Sequence, residues 1–211
     1  MSTARLPAGV VRLFVLTATV LLVAACAPRV TEERQVGSFT SISASNGVEV
    51  HVVVGGSPSA SVTATQAAMD EVTVRVEGSR LQVSSGDSGR KVTVDVTTPS
   101  LAAIDASSSA SVIAEGVTAA TFDVNVSSDA EVEVSGTTGA LRLNGSSQSE
   151  ASLGELVAGT ATVDLSSQAK AEVQATESVT GDVSSQAKLT VVGSPARVDV
   201  KTSSQGEVVR R

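Results

Sequence analysis

Gly86-Asp87-Ser88-Gly89 carries the core of a nucleophilic-serine signature. His51, Asp70 and Ser88 occur in the chain order in which two-barrel serine proteases carry their base, orienting acid and nucleophile. Acyl transfer needs more than order. The next position of that signature should be glycine and is Arg90, and His51 stands between Val50 and Val52 instead of in an Ala-Ala-His-Cys context. We read the trio as coincidence and expect no catalytic residue. His51 is the only histidine, so a histidine-based metal site would have no partner. No metal and no cofactor is expected.

The one residue with a covalent chemistry of its own is Cys26. Arg5 and Arg12 precede an apolar run, Leu13 to Val23, that is too short to span a bilayer, and Val23-Ala24-Ala25-Cys26 closes it with small residues. The pattern resembles the bacterial lipobox, in which the signal peptide is cut before the cysteine and a diacylglycerol is attached to its thiol. Residues 1–25 are then a lipoprotein signal peptide and Cys26 the lipid attachment site. Residues 26–36, polar and without an apolar period, read as a tether to a domain over 37–211. Loss of the signal leaves 13 Lys+Arg against 22 Asp+Glu, a formal charge of −9. Such an acidic chain disfavours nucleic acid and electrostatic attachment to anionic lipid, which leaves the anchoring to the lipid on Cys26. The expected address is the cell membrane or outer membrane, with the domain on the extracytoplasmic side. No disulfide can form there, because no second cysteine exists. Asn125-Val126-Ser127 and Asn144-Gly145-Ser146 match a glycosylation sequon that is irrelevant to a bacterial exported chain.

The remaining polar signal is repetition. Ser-Ser recurs at Ser107-Ser108, Ser127-Ser128, Ser146-Ser147, Ser166-Ser167, Ser184-Ser185 and Ser203-Ser204, in steps of 20, 19, 20, 18 and 19 residues. Gln148, Gln168, Gln186 and Gln205 follow the later pairs, each before a small residue, and Asp105, Asn125, Asn144, Asp164, Asp182 and Lys201 stand two residues before the first serines. A period of ~19 residues is that of a solenoid, in which equivalent residues stack into ladders. Two readings of the turn columns stay open: hydrogen bonding within the stack alone, or a flat polar strip that binds another surface. The carboxylate column invites a calcium reading, but asparagines interrupt it and the glycine-rich nonapeptide of calcium-binding solenoids is missing. A solvated face is expected.

Such ladders require strands of fixed register. Positions one, three and five before each first serine are mostly apolar: Ala106, Ile104 and Ala102, then Val126, Val124 and Phe122, and so on to Thr202, Val200 and Val198. Positions five and seven beyond it, such as Val112 and Ala114 or Ala171 and Val173, resume the alternation. Period two means strand. One repeat is therefore strand, polar turn, strand, and a corner often marked by glycine, as at Gly116, Gly136, Gly154 and Gly193. Upstream, alternating runs at Val48 to Val54, Ser61 to Thr65, Val72 to Val76, Leu81 to Val83 and Val92 to Val96 are separated by Gly/Ser/Pro turns. Only Ala67 to Asp70 invites a helix, and it is too short to hold alone. The prediction is all-β: a single-domain parallel β-solenoid, or β-helix, with wider irregular coils at its N-terminal end. Its core must be thin, because Trp and Tyr are absent and Phe39 and Phe122 are the only phenylalanines after the signal.

Phe39-Thr40-Ser41-Ile42, Ser45-Asn46-Gly47-Val48-Glu49-Val50, Val76-Glu77-Gly78-Ser79-Arg80-Leu81-Gln82-Val83 and Thr98-Pro99-Ser100-Leu101-Ala102-Ala103-Ile104 together resemble the head GIN domain family over residues 37–211. These are bacterial export-signal proteins for which an autotransporter-type adhesin role has been proposed. The resemblance implies a β-solenoid displayed on the cell envelope and brings no functional residues with it. The chain departs from the family at its turns, where Ser-Gly-Ser-Gly is usual and Ser-Ser-Gln-Ala stands here. Because alanine does not tolerate positive φ as glycine does, the corner is expected to be built differently.

Two functional readings follow. One is a non-enzymatic envelope lipoprotein that offers its ladders to an envelope or surface protein. The other is a glycan-active β-helix enzyme, which would cluster carboxylate and basic groups in a groove; here the outward acids are spread along columns, and the aromatic rings on which sugars stack are missing. A further expected partner is a second copy of the chain. After Gly206 only Glu207, Val208, Val209, Arg210 and Arg211 remain, with no capping helix, so the last edge is either guarded by its arginines or used for weak self-association.

Overall fold

The computed structural model describes residues 28–86 and 89–211. Cys26 and the expected signal peptide, within residues 1–27, and Asp87 and Ser88 lie outside these residues. The described chain begins with β1 (Arg29–Arg34), β2 (Ser41–Ser45), β3 (Val48–Val54) and β4 (Ser59–Thr65). A one-turn helix, α1 (Gln66–Met69), leads to β5 (Thr73–Glu77), β6 (Arg80–Ser84) and β7 (Val92–Thr98). The repeats then supply β8 (Ala103–Ala106), β9 (Ser111–Val126), β10 (Glu131–Gly145), β11 (Glu150–Leu165), β12 (Lys170–Val183), β13 (Lys188–Val192), β14 (Arg197–Thr202) and β15 (Glu207–Arg210).

The result is an all-β, parallel β-solenoid of about five turns, as the period of the Ser-Ser pairs predicts. Strands β9 to β12 are long because each rounds most of a coil. Along β9, Glu115-Gly116 and Ala120-Thr121 are consecutive outward residues, while Val112, Ala114, Val117, Phe122, Val124 and Val126 face inward. Strict alternation cannot place two neighbours outward, so each such pair marks a corner. A coil thus has a short third wall, where Val117, Leu156 and Ala158 are buried, between the two walls that the apolar columns define.

Parallel pairing holds from coil to coil, as in Leu141↔Phe122, Leu141↔Ala161 and Ala161↔Val179. The inward columns of the central coils are where alternation puts them. Small side chains also close the core behind each turn, at Ala110, Ala130, Ser149, Ala169 and Ala187. Five column members behave otherwise. Ala102 is exposed and Leu101 is buried in its stead, because β8 starts only at Ala103. Val198 and Val200 are half-buried and Thr202 is exposed, since β14 has a coil on one side only. Gly181 is not a spacer: its φ is +136°, and a Cβ there would stand 2.0 Å from the Val163 carbonyl oxygen. Gly136, at a corner, has the same φ and would meet Val117 O at 2.1 Å, so both positions require glycine.

The N-terminal end is built out of chain order. On one wall the strands run β1, β4, β7, β3 and β9. β7 pairs β3 in parallel, whereas β4 is antiparallel to β7 and β1 to β4. On another wall β2 lies between β6 and β8, and β5 closes antiparallel on β6. These strands and α1, which buries Ala68 and Met69, close that end of the core. The expected irregular coils are thus two parallel coils under an antiparallel cap.

Within the stretch expected to be a tether, Arg29–Arg34 is a strand of that cap. β1 pairs β4 from Arg29↔Thr65 to Arg34↔Ala60, and the Arg29 guanidinium donates to Thr63 O at 2.8 Å. Its alternation is real but is carried by Val30, Glu32 and Arg34, which are half-buried, so no apolar period announces it.

Register has a direct test. Val163 is fully buried and Thr162 is exposed. Val163→Asp is expected to cost several kcal/mol by burying an unpaired charge, and Thr162→Asp less than about 1 kcal/mol. Urea melts of the two variants should differ accordingly, and equal losses would place the core on the other face.

Candidate functional site

Each Ser-Ser pair opens a four-residue turn. The amide of the fourth residue donates to the carbonyl of the first serine, from Ala110 N to Ser107 O at 3.2 Å through Ala169 N to Ser166 O at 3.1 Å to Gly206 N to Ser203 O at 2.8 Å. The two central residues are left-handed: Ser167 and Gln168 have φ of 52° and 66°, and their equivalents from Ser108 to Gln205 follow suit. Positive φ at both positions is the signature of a type I′ turn. Asn46 and Gly47 make the same pair between β2 and β3, where the sequence does write the usual Asn-Gly. Alanine therefore does not face the strain anticipated for it. It occupies the fourth position, while serine and glutamine take the left-handed ones.

Left-handed backbone also turns the second central amide along the stack. Gln148 N donates to Ser167 O, Gln168 N to Ser185 O and Gln186 N to Ser204 O, all at 3.0 Å. The first-serine amides point the other way, as Ser166 N does to Gly145 O at 2.9 Å. Each turn is thereby bonded to both neighbours. The glutamine side chains add to this, with Gln148 Nε2 donating to Gln168 Oε1 at 3.4 Å and Gln186 Nε2 to Gln205 Oε1 at 3.1 Å. The Gln column is thus an exposed ladder that supports the stack.

Beside it lies an open groove of about 500 Å³, lined by Asp105, Asn125, Asn144, Asp164 and Asp182 and by the first serines of five turns. The sequence-predicted Asn/Asp column and the serine column therefore meet on one surface. Asn125 Nδ2 donates to Asp105 Oδ1 at 2.7 Å and Asn144 Nδ2 to Asn125 Oδ1 at 2.9 Å, and Arg80 pairs with Asp105 Oδ2 at 2.9 Å. One end of the groove is held as an amide relay. At the other, Asp164 and Asp182 are register neighbours, followed by Lys201. The groove's acids come at most one per coil, and among the described residues no group of three or more His, Cys, Asp or Glu is arranged to hold a metal.

His51 does not meet Asp70. Its Nδ1 lies 3.2 Å from Asp95 Oδ1 and its Nε2 3.4 Å from Glu49 Oε1 on the outer face of β3. A hydrogen bond from Lys91, 3.0 Å from Glu49 Oε2, holds the Glu49 carboxyl below the usual range, with Coulomb attraction to Lys91 and contact with His51 acting in the same direction and partial burial opposing them. This is a surface ion cluster across paired strands.

The family described as "Putative auto-transporter adhesin, head GIN domain" matches residues 38–195. The chain belongs to this family. Its fold is also that of a "putative adhesin" from Bacteroides fragilis, with a TM-score of 0.71 at 17% identity over 87% of this chain and 97% of that one. A "putative adhesin" from Parabacteroides merdae superposes with a TM-score of 0.52 at 16% identity, covering 87% of this chain and 96% of its own. No curated protein matches. In this head GIN domain the site is a strip with as many equivalent rungs as there are coils.

The turn geometry predicts a ranking at Ser167. A β-branched side chain at left-handed φ costs about 1 kcal/mol or more, and glycine removes the strain that serine bears. Urea midpoints should fall in the order Ser167→Gly at or above wild type, with Ser167→Val clearly below. A valine variant as stable as wild type would mean that the turn is not left-handed.

Proposed function

We propose that this head GIN domain is the displayed part of a non-enzymatic cell-envelope lipoprotein, anchored through lipid on Cys26, and that it contacts an envelope or surface protein through the groove and the Gln ladder. The observation that supports this is repetition of the polar groove. Asp105, Asn125, Asn144, Asp164 and Asp182 recur once per coil beside a serine column, open to solvent along the stack. A chemical step needs unlike groups converging on one reacting centre, whereas like groups at regular spacing suit an extended surface. Membership of a family described in terms of adhesion points the same way.

The anchor is tested by detergent-phase partitioning. Wild type is expected in the detergent phase and Cys26→Ala in the aqueous phase or as unprocessed precursor; an alanine variant that still partitions with detergent defeats the lipid reading. The surface is tested by crosslinking in intact cells, followed by identification of what is attached. Asn144→Lys combined with Asp164→Lys should remove a specific adduct while leaving the melting curve within about 1 kcal/mol of wild type, because both side chains are exposed. An undiminished adduct would move the contact off the groove.

A further inference from the structure

The cap strand β1 fixes where the domain stands relative to the lipid. Resting on the lipoprotein reading, we infer that the solenoid is seated on the bilayer by its N-terminal cap, with β15 at the distal end, and does not swing on a tether. Two residues, Ala27 and Pro28, separate Cys26 from Arg29, the first residue of β1, so three chain steps limit the reach from Cys26 to a hydrogen-bonded strand to about 11 Å. All six residues of β1 are paired to β4, from Arg29↔Thr65 to Arg34↔Ala60, so the slack expected from ten polar residues is absent. The partner surface is a lipid headgroup layer, and the cap has the chemistry to meet one. Half-buried Val30, Val72, Val74 and Val76 fringe the end of the core there, and Arg29, Arg34 and Arg75 stand among them on β1 and β5, Arg34 paired with Glu32 and Arg75 with Glu77.

Charge favours this end over a flank. Residues 29–98 carry six Lys+Arg against eight Asp+Glu, whereas residues 99–211 carry seven against fourteen. The repeat coils after residue 98 are thus net −7 and the N-terminal end, its two parallel coils and cap together, net −2, so anionic headgroups repel the repeat flank more than the N-terminal end. The wall from β1 to β15 is ten strands long, nine steps, which puts β15 about 43 Å above β1 at ~4.8 Å per step.

Because Cys26 is the only cysteine and its thiol is consumed by the lipid, a single introduced cysteine can carry a fluorophore. Glu33→Cys and Glu207→Cys, both exposed positions, would be purified as full-length lipidated protein. The labelled proteins would be placed on phosphatidylethanolamine–phosphatidylglycerol vesicles that contain a headgroup-linked acceptor. Flotation with the vesicles comes first: protein that does not float overturns the anchor, and this inference with it. Among floating protein, energy transfer is expected to be several-fold stronger from position 33 than from position 207. Equal transfer from both positions overturns the seated-cap arrangement while leaving the anchor intact. A twenty-residue Gly-Ser insert between Pro28 and Arg29 should weaken transfer from position 33, and an unchanged signal there also counts against the short connection.

Discussion

Each coil of this protein is incomplete without its neighbours, and everything else in the fold answers to that. A coil's strands bond only to the coils before and after, and its apolar residues, such as Val163 between Leu143 and Gly181, find packing partners above and below. Parallel register is therefore the governing constraint. A slip of one residue in a single coil would turn its valines outward and break the backbone bonds to two others. The turns carry much of the burden of preventing it. With two successive left-handed residues, each turn sends one amide toward the following coil and leaves the next serine amide to bond the preceding one, so corners are as tightly registered as strands.

The same constraint shapes the surface. Whatever side chain points outward in one coil has a counterpart about 4.8 Å away in the next, and so the chain can make strips but not easily a compact cluster of unlike groups. The Asn125–Asp105 and Asn144–Asn125 bonds show what a strip does with its polarity where nothing else is present: neighbours satisfy one another. Small buried side chains at Ala110, Ala130, Ala169 and Ala187 let each turn pass close to the core.

How much of this can be read from the chain depends on whether a residue's environment repeats. The Ser-Ser spacing and the apolar columns reveal the coils, because every coil meets the same neighbours. Thr202 and Val200 look like core by column and are not, since burial comes from a following coil that β14 does not have. Ala102 fails for a related reason, lying one residue before β8 begins. β1 is missed because its alternation runs through Val30, Glu32 and Arg34, whose inner positions at a cap tolerate charge. The short third wall escapes a two-wall reading, although paired outward residues such as Glu115-Gly116 contain the signal. The site columns are legible as columns, and because Asp105 and Ser107 stand two residues apart, alternation puts both columns on one outward face. Cys26 is legible only as a motif.

The out-of-order cap has a consequence for how the coils are assembled. From β10 onward each strand docks on the one about 19 residues before it, so the entropy of closing each added loop is of order 3 kcal/mol and hardly varies along the stack. The cap instead joins β1 to β4 and β3 to β7 across longer separations, and β3 must hold β7 on one edge and β9 on the other. Nucleation and elongation are thus divided between two kinds of sequence, a costly seed and cheap repeats. Length is then a free parameter: removing or duplicating one 19-residue unit leaves every ladder continuous, changing reach without redesigning the seed.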